Sequence, residues 1–405
     1  MRFETYQEAE QWVLARKSIL VYYEPFRDAM KDLGNPQDSI SCVHVGGTNG
    51  KGSTCRFLSD ILSVRYQKIG LYTSPHLENI RDRIRINGSW IPEDVFLRLI
   101  NDHMDVIETY NLGMVGICSM LCFLWFREEQ VDIAVIEVSM GGRYDTTNVI
   151  SSPLVSIITS IGFDHMEYLG NTLEEIAAEK AGIIKENRAV ILGALPEEAR
   201  RVITDYAASM HAEVIEPPEC VINEDRSFTV AGERFRLFSR APYLIHNALL
   251  ALTAADYLGI DISDMQVRTL LGASIWPGRF ETIAHGPTVI LDGAHNPEGV
   301  SAMLEAAKDA PAPRIAVFSA LKDKQGGLMH SMLEEQLDGV LLTTFRNERA
   351  YTADELASQN VYADWHEALR QAKQLAGKDG TVIITGSLYF ISTVRRELLP
   401  HRVDS

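Results

Sequence analysis

The strongest chemical signal in the sequence is a glycine-rich turn between a predicted strand and a predicted helix. Residues 43–53 read VHVGGTNGKGS, and the helix is expected to begin near Ser53. Glycines let backbone N–H groups point at phosphate oxygens, a helix N-terminus adds positive potential, and Lys51 can reach a terminal phosphate. The strict pattern GxxxxGK(S/T) fails, because Val45 occupies its first glycine and Gly52 separates Lys51 from Ser53. The segment therefore predicts an anion cradle, and a turn without a ligand is the alternative.

A second signal is an acid at the end of an apolar predicted strand. The run from Asp132 to Glu137 is apolar between its two acids, and a polar loop from Gly141 to Asn148 follows it. Because parallel strands place ligand-binding groups at their carboxyl ends, Glu137 can lie beside the glycine-rich turn and hold Mg²⁺. The alternative is an acid that is capped or solvated.

Two later segments carry groups of the same kind. Asp164 and His165 follow the next predicted strand, and the histidine can ligate a metal through a neutral nitrogen or simply be solvated. Lys180 lies near the end of a predicted helix, just before Gly182. Taken from the residues alone, Lys180 is best explained as a favourable positive charge at a helix C-terminus.

Basic and acidic groups at two other places are further candidates for ligand binding. Arg81, Arg83 and Arg85 alternate along a strand-like segment, where they either grip an anionic substrate or form a solvated edge strand. Nearer the C-terminus, residues 292–297 read DGAHNP, end a predicted strand and open a predicted helix. That position faces ligands in open α/β sheets.

The elements that must position these groups alternate between apolar strands and amphipathic helices, which is typical of a parallel sheet covered by helices. Short alternating segments from Cys220 to Arg240 predict a small antiparallel excursion, followed by a helix from His246 to Leu258. We place a domain boundary near residue 285, giving domains 1–284 and 285–405. The second is a smaller Rossmann-like α/β unit without GxGxxG, so a dinucleotide cofactor has no support. Its predicted elements include helices over residues 297–307 and 352–358.

Composition limits the class of protein. The chain has 405 residues, 46% of them hydrophobic, and a formal net charge of −17, which disfavours nucleic acid and anionic membranes. Its 5 cysteines contain no CxxC pair, so neither a disulfide framework nor a zinc ribbon is indicated. The first residues lack the apolar run of a signal peptide, and Met114 to Phe126 is too short to cross a bilayer. We expect a cytoplasmic protein.

In this order, the motifs resemble those of the folylpolyglutamate synthase and dihydrofolate synthase family, within the Mur-ligase-like ATP-dependent acid–amino-acid ligases. The matching segments extend over most of the chain. They are GTNGKGS at 47–53, TSPHL at 73–77, Glu137 with GGR at 141–143 and DTTN at 145–148, DH at 164–165 with LG at 169–170, EKAGI at 179–183, HN at 246–247, PGRFE at 277–281, DGAHNP at 292–297 and GSLY at 386–389.

The resemblance implies a fold, two cofactors and a set of roles. The fold is α/β, with a P-loop parallel-sheet ATPase domain of Mur-ligase type followed by the smaller Rossmann-like domain. ATP and Mg²⁺ are the cofactors, with Lys180 carbamylated as an acidic metal ligand. The candidate catalytic residues are Lys51, His165 and Lys180; the ATP-binding residues are Gly47, Thr48, Asn49, Gly50, Lys51, Gly52, Ser53, Asn247, Arg279, Asp292 and His295; the metal ligands are Ser74, Glu137 and His165; the substrate-binding residues are Arg83, Arg143, Asp145 and Ser387.

The implied reaction adds L-glutamate to the γ-carboxylate of a reduced folate through an acyl phosphate, in a monomeric enzyme. The sequence departs from the family on the acceptor side. Residues 21–26 (VYYEPF) replace an LGLER-like segment, residues 113–116 (GMVG) replace TxFE, and residues 138–146 (VSMGGRYDT) replace VGLGGRLDA. A non-folate acid acceptor and a non-catalytic nucleotide-binding homologue are therefore the alternatives.

Overall fold

The computed structural model describes residues 2–16, 23–352, 355 and 361–399. The chain divides into two compact units. The first comprises Met1–Asn223, Phe228–Arg236 and His246–Ser274, and the second comprises Glu224–Ser227, Leu237–Ile245 and Ile275–Ser405. The division at residue 285 stays a prediction.

An eight-stranded sheet forms the centre of the first unit. Its order is β4-β3-β2-β5-β1-β6-β7-β8. Strand β3 pairs antiparallel with both β2 and β4, and all other neighbouring strands pair parallel. Continuous apolar runs build the central strands because both faces of the sheet are covered. The strands are β1 (Cys42–Gly46), β2 (Ile69–Tyr72), β3 (Ile84–Ile86), β4 (Ser89–Trp90), β5 (Ile133–Glu137), β6 (Val155–Ile158), β7 (Ala189–Leu192) and β8 (Val214–Ile215).

Helices connect and cover these strands. They are α1 (Tyr6–Ala15), α2 (Tyr23–Asp32), α3 (Lys51–Leu62), α4 (Glu93–Asp102), α5 (Met104–Thr109), α6 (Met114–Glu128), α7 (Met166–Leu169), α8 (Leu173–Ala181) and α9 (Glu197–Ser209), with short 3-10 helices at Pro36–Ser39, Ile80–Arg83 and Thr146–Val149. Every residue of α6 from Gly116 to Phe126 is buried, which explains its uniformly apolar sequence. None of the described helices has both the length and the apolarity needed to span a bilayer.

A small antiparallel sheet follows, built from β9 (Cys220–Ile222), β10 (Phe228–Val230) and β11 (Glu233–Phe235). The next helix, α10 (Pro242–Tyr257), has its first residues in the second unit and the remainder in the first, where α11 (Met265–Ala273) also lies. The antiparallel excursion predicted from the alternating sequence is therefore present.

The second unit is organised around a six-stranded sheet of order β12-β13-β17-β14-β15-β16, with only β12 antiparallel to its neighbour. Its elements are β12 (Glu281–Ala284), β13 (Thr288–Leu291), α12 (Pro297–Ala307), β14 (Arg314–Phe318), α13 (Gly326–Gln336), β15 (Gly339–Thr343), β16 (Val361–Tyr362), α14 (Trp365–Ala376), β17 (Thr381–Thr385) and α15 (Leu388–Leu398).

The predicted fold class is confirmed, and two local features differ from what the sequence pattern indicates. Arg81 and Arg83 lie in a 3-10 helix instead of a strand, because Asp82 accepts the N–H groups of Leu77 and Glu78 and bends the chain there. The sequence of β12 contains no apolar run that would predict a strand, yet β12 pairs with β13. Most of the helix predicted over 352–358 lies outside the described residues.

Truncation of a buried side chain in α6 tests this core. Leu121→Ala removes a side chain that is fully buried in the first unit, so the free energy of unfolding should fall by about 3 kcal/mol through lost burial and a residual cavity. Leu14→Ala, at an exposed position of α1, is the matched control and should change it by less than about 1 kcal/mol. Denaturant titration of both variants gives the comparison, and equal losses would contradict the placement of α6.

Candidate active site

The glycine-rich turn connects β1 to α3 as the sequence predicted, although α3 begins at Lys51 and not near Ser53. Gly50 is the N-cap of α3, has φ 88°, and supplies no side-chain cap. The first-turn N–H groups of a helix have no intrahelical acceptor. They are therefore placed to bind an anion.

Tight packing explains why the turn uses glycine. A Cβ atom on Gly50 would lie 2.3 Å from Asn247 Oδ1, so the predicted site residue Asn247 packs directly over the turn. A Cβ atom on Gly47, whose φ is 141°, would lie 1.9 Å from Thr159 Oγ1. A side chain at Gly47 would collide with Thr159 and the backbone after it, and one at Gly50 would strain the backbone and displace the Asn247 side chain.

The end of β6 holds the same turn. The Thr159 hydroxyl donates to the Asn49 carbonyl at 2.6 Å, Ser160 Oγ accepts the Asn49 N–H at 2.9 Å, and the Thr48 N–H donates to the Ser160 carbonyl at 2.8 Å. Sequence reasoning assigned no role to Thr159 or Ser160. Their signal was the pair of hydroxyl residues directly after a predicted strand.

Two lysines converge on one carbonyl of the turn. Lys51 Nζ donates to the carbonyl oxygens of Gly47 and Thr48, both at 3.0 Å, and Lys180 Nζ donates to the same Gly47 oxygen at 3.0 Å. Neither lysine forms a salt bridge within the part of the chain that the structure describes. Two ammonium groups so close together repel each other, and a bound anion would relieve that repulsion.

Lys180 differs from the helix-end cation that its position in the sequence suggests. Its side chain lies inside the unit, with 4% of its surface exposed. Burial, followed by the charge of Lys51, lowers the pKa of Lys180 to about 7. A large part of the Lys180 population therefore carries a neutral, nucleophilic amine near neutral pH.

The predicted metal ligands Ser74 and Glu137 are brought together by strand order. β5 lies between β1 and β2, so the loop after β2 passes the end of β5. The Ser74 N–H donates to Glu137 Oε2 at 2.9 Å, and Glu137 is 3% exposed.

The third predicted ligand, His165, follows β6 at the same edge of the sheet. Its φ is 50°, its side chain is about one-third exposed, and its N–H donates to Asp164 Oδ1 at 2.9 Å. Within the described ranges, no three His, Cys, Asp or Glu side chains form a metal cage. Mg²⁺ is commonly held by one or two carboxylates together with phosphates and water. Glu137 beside a phosphate cradle fits that donor set.

The loop after β5 contains two of the predicted substrate residues. Asp145 is buried and accepts from the Met140 N–H, the Thr147 N–H and the Thr147 hydroxyl. Burial raises the pKa of Asp145. Arg143 is half-exposed and donates to the Ala178 carbonyl at 3.4 Å. The structure thus gives Asp145 the contacts of a loop organiser and leaves Arg143 accessible.

Arg83, also predicted to contact substrate, is buried, and its Nε donates to His76 Nδ1 at 3.0 Å. The nearby carboxylate of Asp82 has its pKa raised to about 6 by burial. The Arg83 carbonyl accepts the Thr73 N–H at 2.9 Å, so the backbone of Arg83 pairs with the residue before the candidate metal ligand Ser74.

The second unit holds the remaining predicted residues. Asp292 is 2% exposed; its Oδ2 accepts from the Tyr243 hydroxyl at 2.6 Å and the Phe280 N–H at 2.9 Å, and its Oδ1 accepts from the Ala294 N–H at 2.9 Å. Burial raises the pKa of Asp292, and burial together with Asp292 raises that of Tyr243. Tyr243 was missed because nothing in its sequence neighbourhood marks the pairing.

Three other predicted residues lie at loop or helix-start positions of this unit. His295 Nδ1 lies 2.8 Å from the Gly293 carbonyl, which fixes the ring. Ser387 is the buried N-cap of α15, and its Oγ accepts the Tyr389 N–H at 3.2 Å. Arg279 is partly exposed on the turn before β12. The ends of β13 and β17 and the entry to β12 therefore carry all four of the second-unit candidates.

Residues 116–255 match the Mur ligase middle domain, and residues 278–388 match the Mur ligase glutamate ligase domain. The fold and the glycine-rich turn between β1 and α3, called the phosphate turn below, thus define an ATP-dependent ligase of the Mur type. The chain is 36% identical to the dihydrofolate synthase/folylpolyglutamate synthase of Bacillus subtilis, over 98% of this chain and 100% of the relative. It belongs to the folylpolyglutamate synthase/dihydrofolate synthase family, which confirms the resemblance stated from the motifs.

Solved structures agree with this assignment. The folylpolyglutamate synthase of Mycobacterium tuberculosis complexed with ADP superimposes with a TM-score of 0.89 at 26% identity, covering 97% of this chain and 98% of that one. A bifunctional folylpolyglutamate synthase/dihydrofolate synthase with Mn, AMPPNP and L-glutamate bound gives a TM-score of 0.86 at 26% identity, covering 98% of both chains.

Replacement of Lys51 tests the phosphate turn. Lys51→Met keeps most of the side-chain volume but removes the ammonium group, so kcat should fall by about 100-fold or more through lost stabilisation of a transferring phosphoryl group. Lys308→Met, at an exposed position of the second unit, is the control and should leave kcat unchanged. ADP release measures both. Wild-type-like turnover in Lys51→Met would remove the assignment.

Proposed function

We propose that this chain adds L-glutamate to the γ-carboxylate of a reduced folate, using ATP and passing through an acyl phosphate. The observation that carries the proposal is the glycine turn at the N-terminus of α3, where Lys51 Nζ donates to two carbonyl oxygens of the turn. That arrangement favours a polyanion. The family relationship supports folate and glutamate as the other substrates.

The chemistry requires activation, because a carboxylate is a poor electrophile at neutral pH. The acceptor carboxylate forms a bond to the terminal phosphorus of ATP, while the bond from that phosphorus to the bridging oxygen of ADP breaks. The amine of glutamate then bonds to the acyl carbon, phosphate leaves, and the amine loses a proton. Lys51 and the first-turn N–H groups of α3 would bind the phosphates and stabilise their negative charge.

The metal site would be formed by Ser74, Glu137 and His165, with carbamylated Lys180 as an additional acidic ligand. A bound Mg²⁺ would supply charge neutralisation on the transferring phosphoryl group. Glu137 is held for this by the Ser74 N–H. The supporting observation is that this carboxylate lies at the end of β5, next to the strand that leads into the phosphate turn.

We propose that residues of the second unit also bind nucleotide and substrate. Arg279, Asp292 and His295 would bind the nucleotide, and Ser387 would contact substrate. Their support is their shared location at strand ends of the second sheet, where open α/β sheets bind ligands. We further propose domains 1–284 and 285–405, a monomer in the cytoplasm, and no nucleic-acid partner, the last in keeping with the net charge of −17.

A different carboxylic acid acceptor is the second candidate, and the acceptor-side residues favour considering it. Tyr144 is half-exposed and makes an edge contact with Tyr23, with ring centroids 6.2 Å apart. Gly113, in the segment 113–116 that departs from the family pattern, is the N-cap of α6. Val21 and Tyr22 of the segment 21–26 lie outside the described residues. An aromatic pair at this position changes the surface that an acceptor ring would meet.

Product analysis distinguishes these candidates. Purified protein is incubated with Mg²⁺-ATP, glutamate and, separately, tetrahydrofolate, a methylene derivative and dihydropteroate, and products are identified by mass spectrometry. We expect the mass of one or more added glutamates on the reduced folates, with stoichiometric ADP. Lys51→Met supplies the inactive control.

The other possible results lead to different conclusions. Glutamate added to dihydropteroate as well would establish a bifunctional enzyme. ADP release with none of these acceptors but with another acid would replace the folate proposal, and absence of any ADP release with every acid tried would favour a non-catalytic nucleotide-binding protein.

Carbamylation of Lys180 is testable on its own. The neutral amine would add to CO₂, forming a nitrogen–carbon bond and losing one proton. Lys180 is protonated below its pKa of about 7 and neutral above it, so carbamate formation should increase as pH rises through 7. In ¹³C-bicarbonate, wild-type protein should show a carbamate carbon signal by NMR.

Matched lysine variants assign that signal. Lys185, a half-buried neighbour whose pKa is lowered to about 8 by burial, donates to Asn148 Oδ1 at 2.8 Å. Lys185→Met should keep the signal and Lys180→Met should lose it. A signal that survives in Lys180→Met, or that is absent from wild type, would refute the modification.

A further inference from the structure

The turn that carries Arg279 has an unusual backbone. We call residues 277–281 the Arg279 turn. Gly278 has φ 72° and Phe280 has φ 48°. A bulky residue in the left-handed region is strained, and such a conformation persists only where its surroundings hold it in place. The residues on both sides of Arg279 must therefore be fixed by contacts from elsewhere in the second unit.

One set of contacts fixes Gly278. Its N–H donates to Glu281 Oε2 at 2.8 Å, and the same carboxylate accepts from Arg395 Nε at 3.0 and 3.2 Å. Glu281 and Arg395 have side chains that are only 4% and 3% exposed. The Gly278 carbonyl accepts the Gly293 N–H at 2.9 Å. Arg395 belongs to α15 and reaches the turn across 114 residues of sequence.

A second set of contacts fixes Phe280. Its N–H donates to Asp292 Oδ2, and the Tyr243 hydroxyl donates to the same oxygen. Tyr243 lies in the first turn of α10. Arg279 thus lies between two residues whose backbone is held by these contacts, which we call the first clamp (at Gly278) and the second clamp (at Phe280). Its guanidinium makes no hydrogen bond or salt bridge to the residues that the structure describes.

The buried pair of Glu281 and Arg395 needs an explanation other than stability. Taking two charges out of water is costly, and an apolar pair of similar volume often packs as well or better. What this pair supplies is direction, because Arg395 Nε donates to both carboxylate oxygens of Glu281 and so restricts the orientation of the carboxylate. Here that orientation determines where the Gly278 N–H points.

We propose that Arg395, through Glu281, and Tyr243, through Asp292, are positioning residues that hold the backbone on both sides of Arg279, the residue proposed to bind ATP. The inference rests on the proposed function, in which Arg279 contacts ATP. In this proposal Arg395 and Tyr243 act through Glu281 and Asp292 and not by contact with substrate. Their effect is confined to the backbone that presents the guanidinium, so their loss should weaken ATP binding more than it slows the chemical step.

Kinetics of volume-conserving variants test the first clamp. Glu281→Leu/Arg395→Met removes both buried charges together, which avoids an unpaired charge and preserves folding. We expect KM for ATP to rise about tenfold, as for loss of a charged hydrogen-bond arrangement, with KM for glutamate unchanged. Arg395→Lys, which keeps a charged donor but not the planar guanidinium, should recover only part of the ATP affinity that the double variant loses. Arg396→Met, on the exposed side of α15, is the control.

Tyr243→Phe tests the second clamp. It removes one hydroxyl, and KM for ATP should rise about threefold. Tyr257→Phe, at the opposite end of α10 where the ring is 43% exposed, should leave KM for ATP unchanged. Unchanged KM in Tyr243→Phe would remove Tyr243 from the proposal.

A cycle with Arg279→Ala separates positioning from the proposed function. Positioning requires non-additivity: the Glu281→Leu/Arg395→Met pair should raise KM for ATP only when Arg279 is present. Additive effects would overturn the proposal. Amide hydrogen exchange of residues 278–281 supplies an independent measurement, and it should accelerate in the Glu281→Leu/Arg395→Met variant.

Hydrogen exchange and the kinetic cycle together distinguish the possible outcomes. Unchanged exchange in that pair overturns positioning whatever the kinetics show. If Arg279→Ala leaves KM for ATP unchanged, the proposed contact of Arg279 with ATP fails, while accelerated exchange would still support the clamp on the turn. Accelerated exchange together with a non-additive cycle supports both.

Discussion

The arrangement of the first unit's site depends on the close approach of Gly47 to Thr159. Only a residue without a side chain permits the end of β6 to come so near the end of β1. That contact lets Thr159 and Ser160 tie down the turn, and it presents the Gly47 carbonyl to both Lys51 and Lys180. A methyl group at Gly47 would displace the turn and the two cations together.

The acidic half of the site follows from strand order in the same sheet. β5 lies between β1 and β2, so Glu137 ends beside the strand that enters the phosphate turn and within hydrogen-bonding distance of the loop after β2. Negative and positive groups are therefore supplied by different loops at one edge. Their separation along the chain leaves each free to be held by its own contacts: Ser74 for Glu137, and Thr159 for the turn.

Patterns that depend on neighbours in sequence were predictable, and those that depend on distant pairing were not. Local apolar runs predict the central strands and the helix over 114–128, and the spacing of glycines predicts the phosphate turn. By contrast, β12 is polar and gains its pairing only from β13, and Arg81 with Arg83 alternates like a strand until Asp82 bends it. Tyr243 and Arg395 acquire meaning only through Asp292 and Glu281, which lie far away in sequence. No local pattern marks such partners.

The position of β1 at the middle of its sheet also has a consequence for how the chain acquires its structure. The Thr159 hydroxyl bonds to Gly46 across 113 residues and Lys180 to Gly47 across 133 residues. Such distant pairings are slow to form, because the intervening loop must close first. During synthesis from the N-terminus, β1 and its glycine turn emerge long before β5, β6 and Lys180 exist. The candidate nucleotide site therefore forms late in folding. Until then the apolar edges of β1 are exposed, and the nascent chain depends on cellular factors that prevent aggregation.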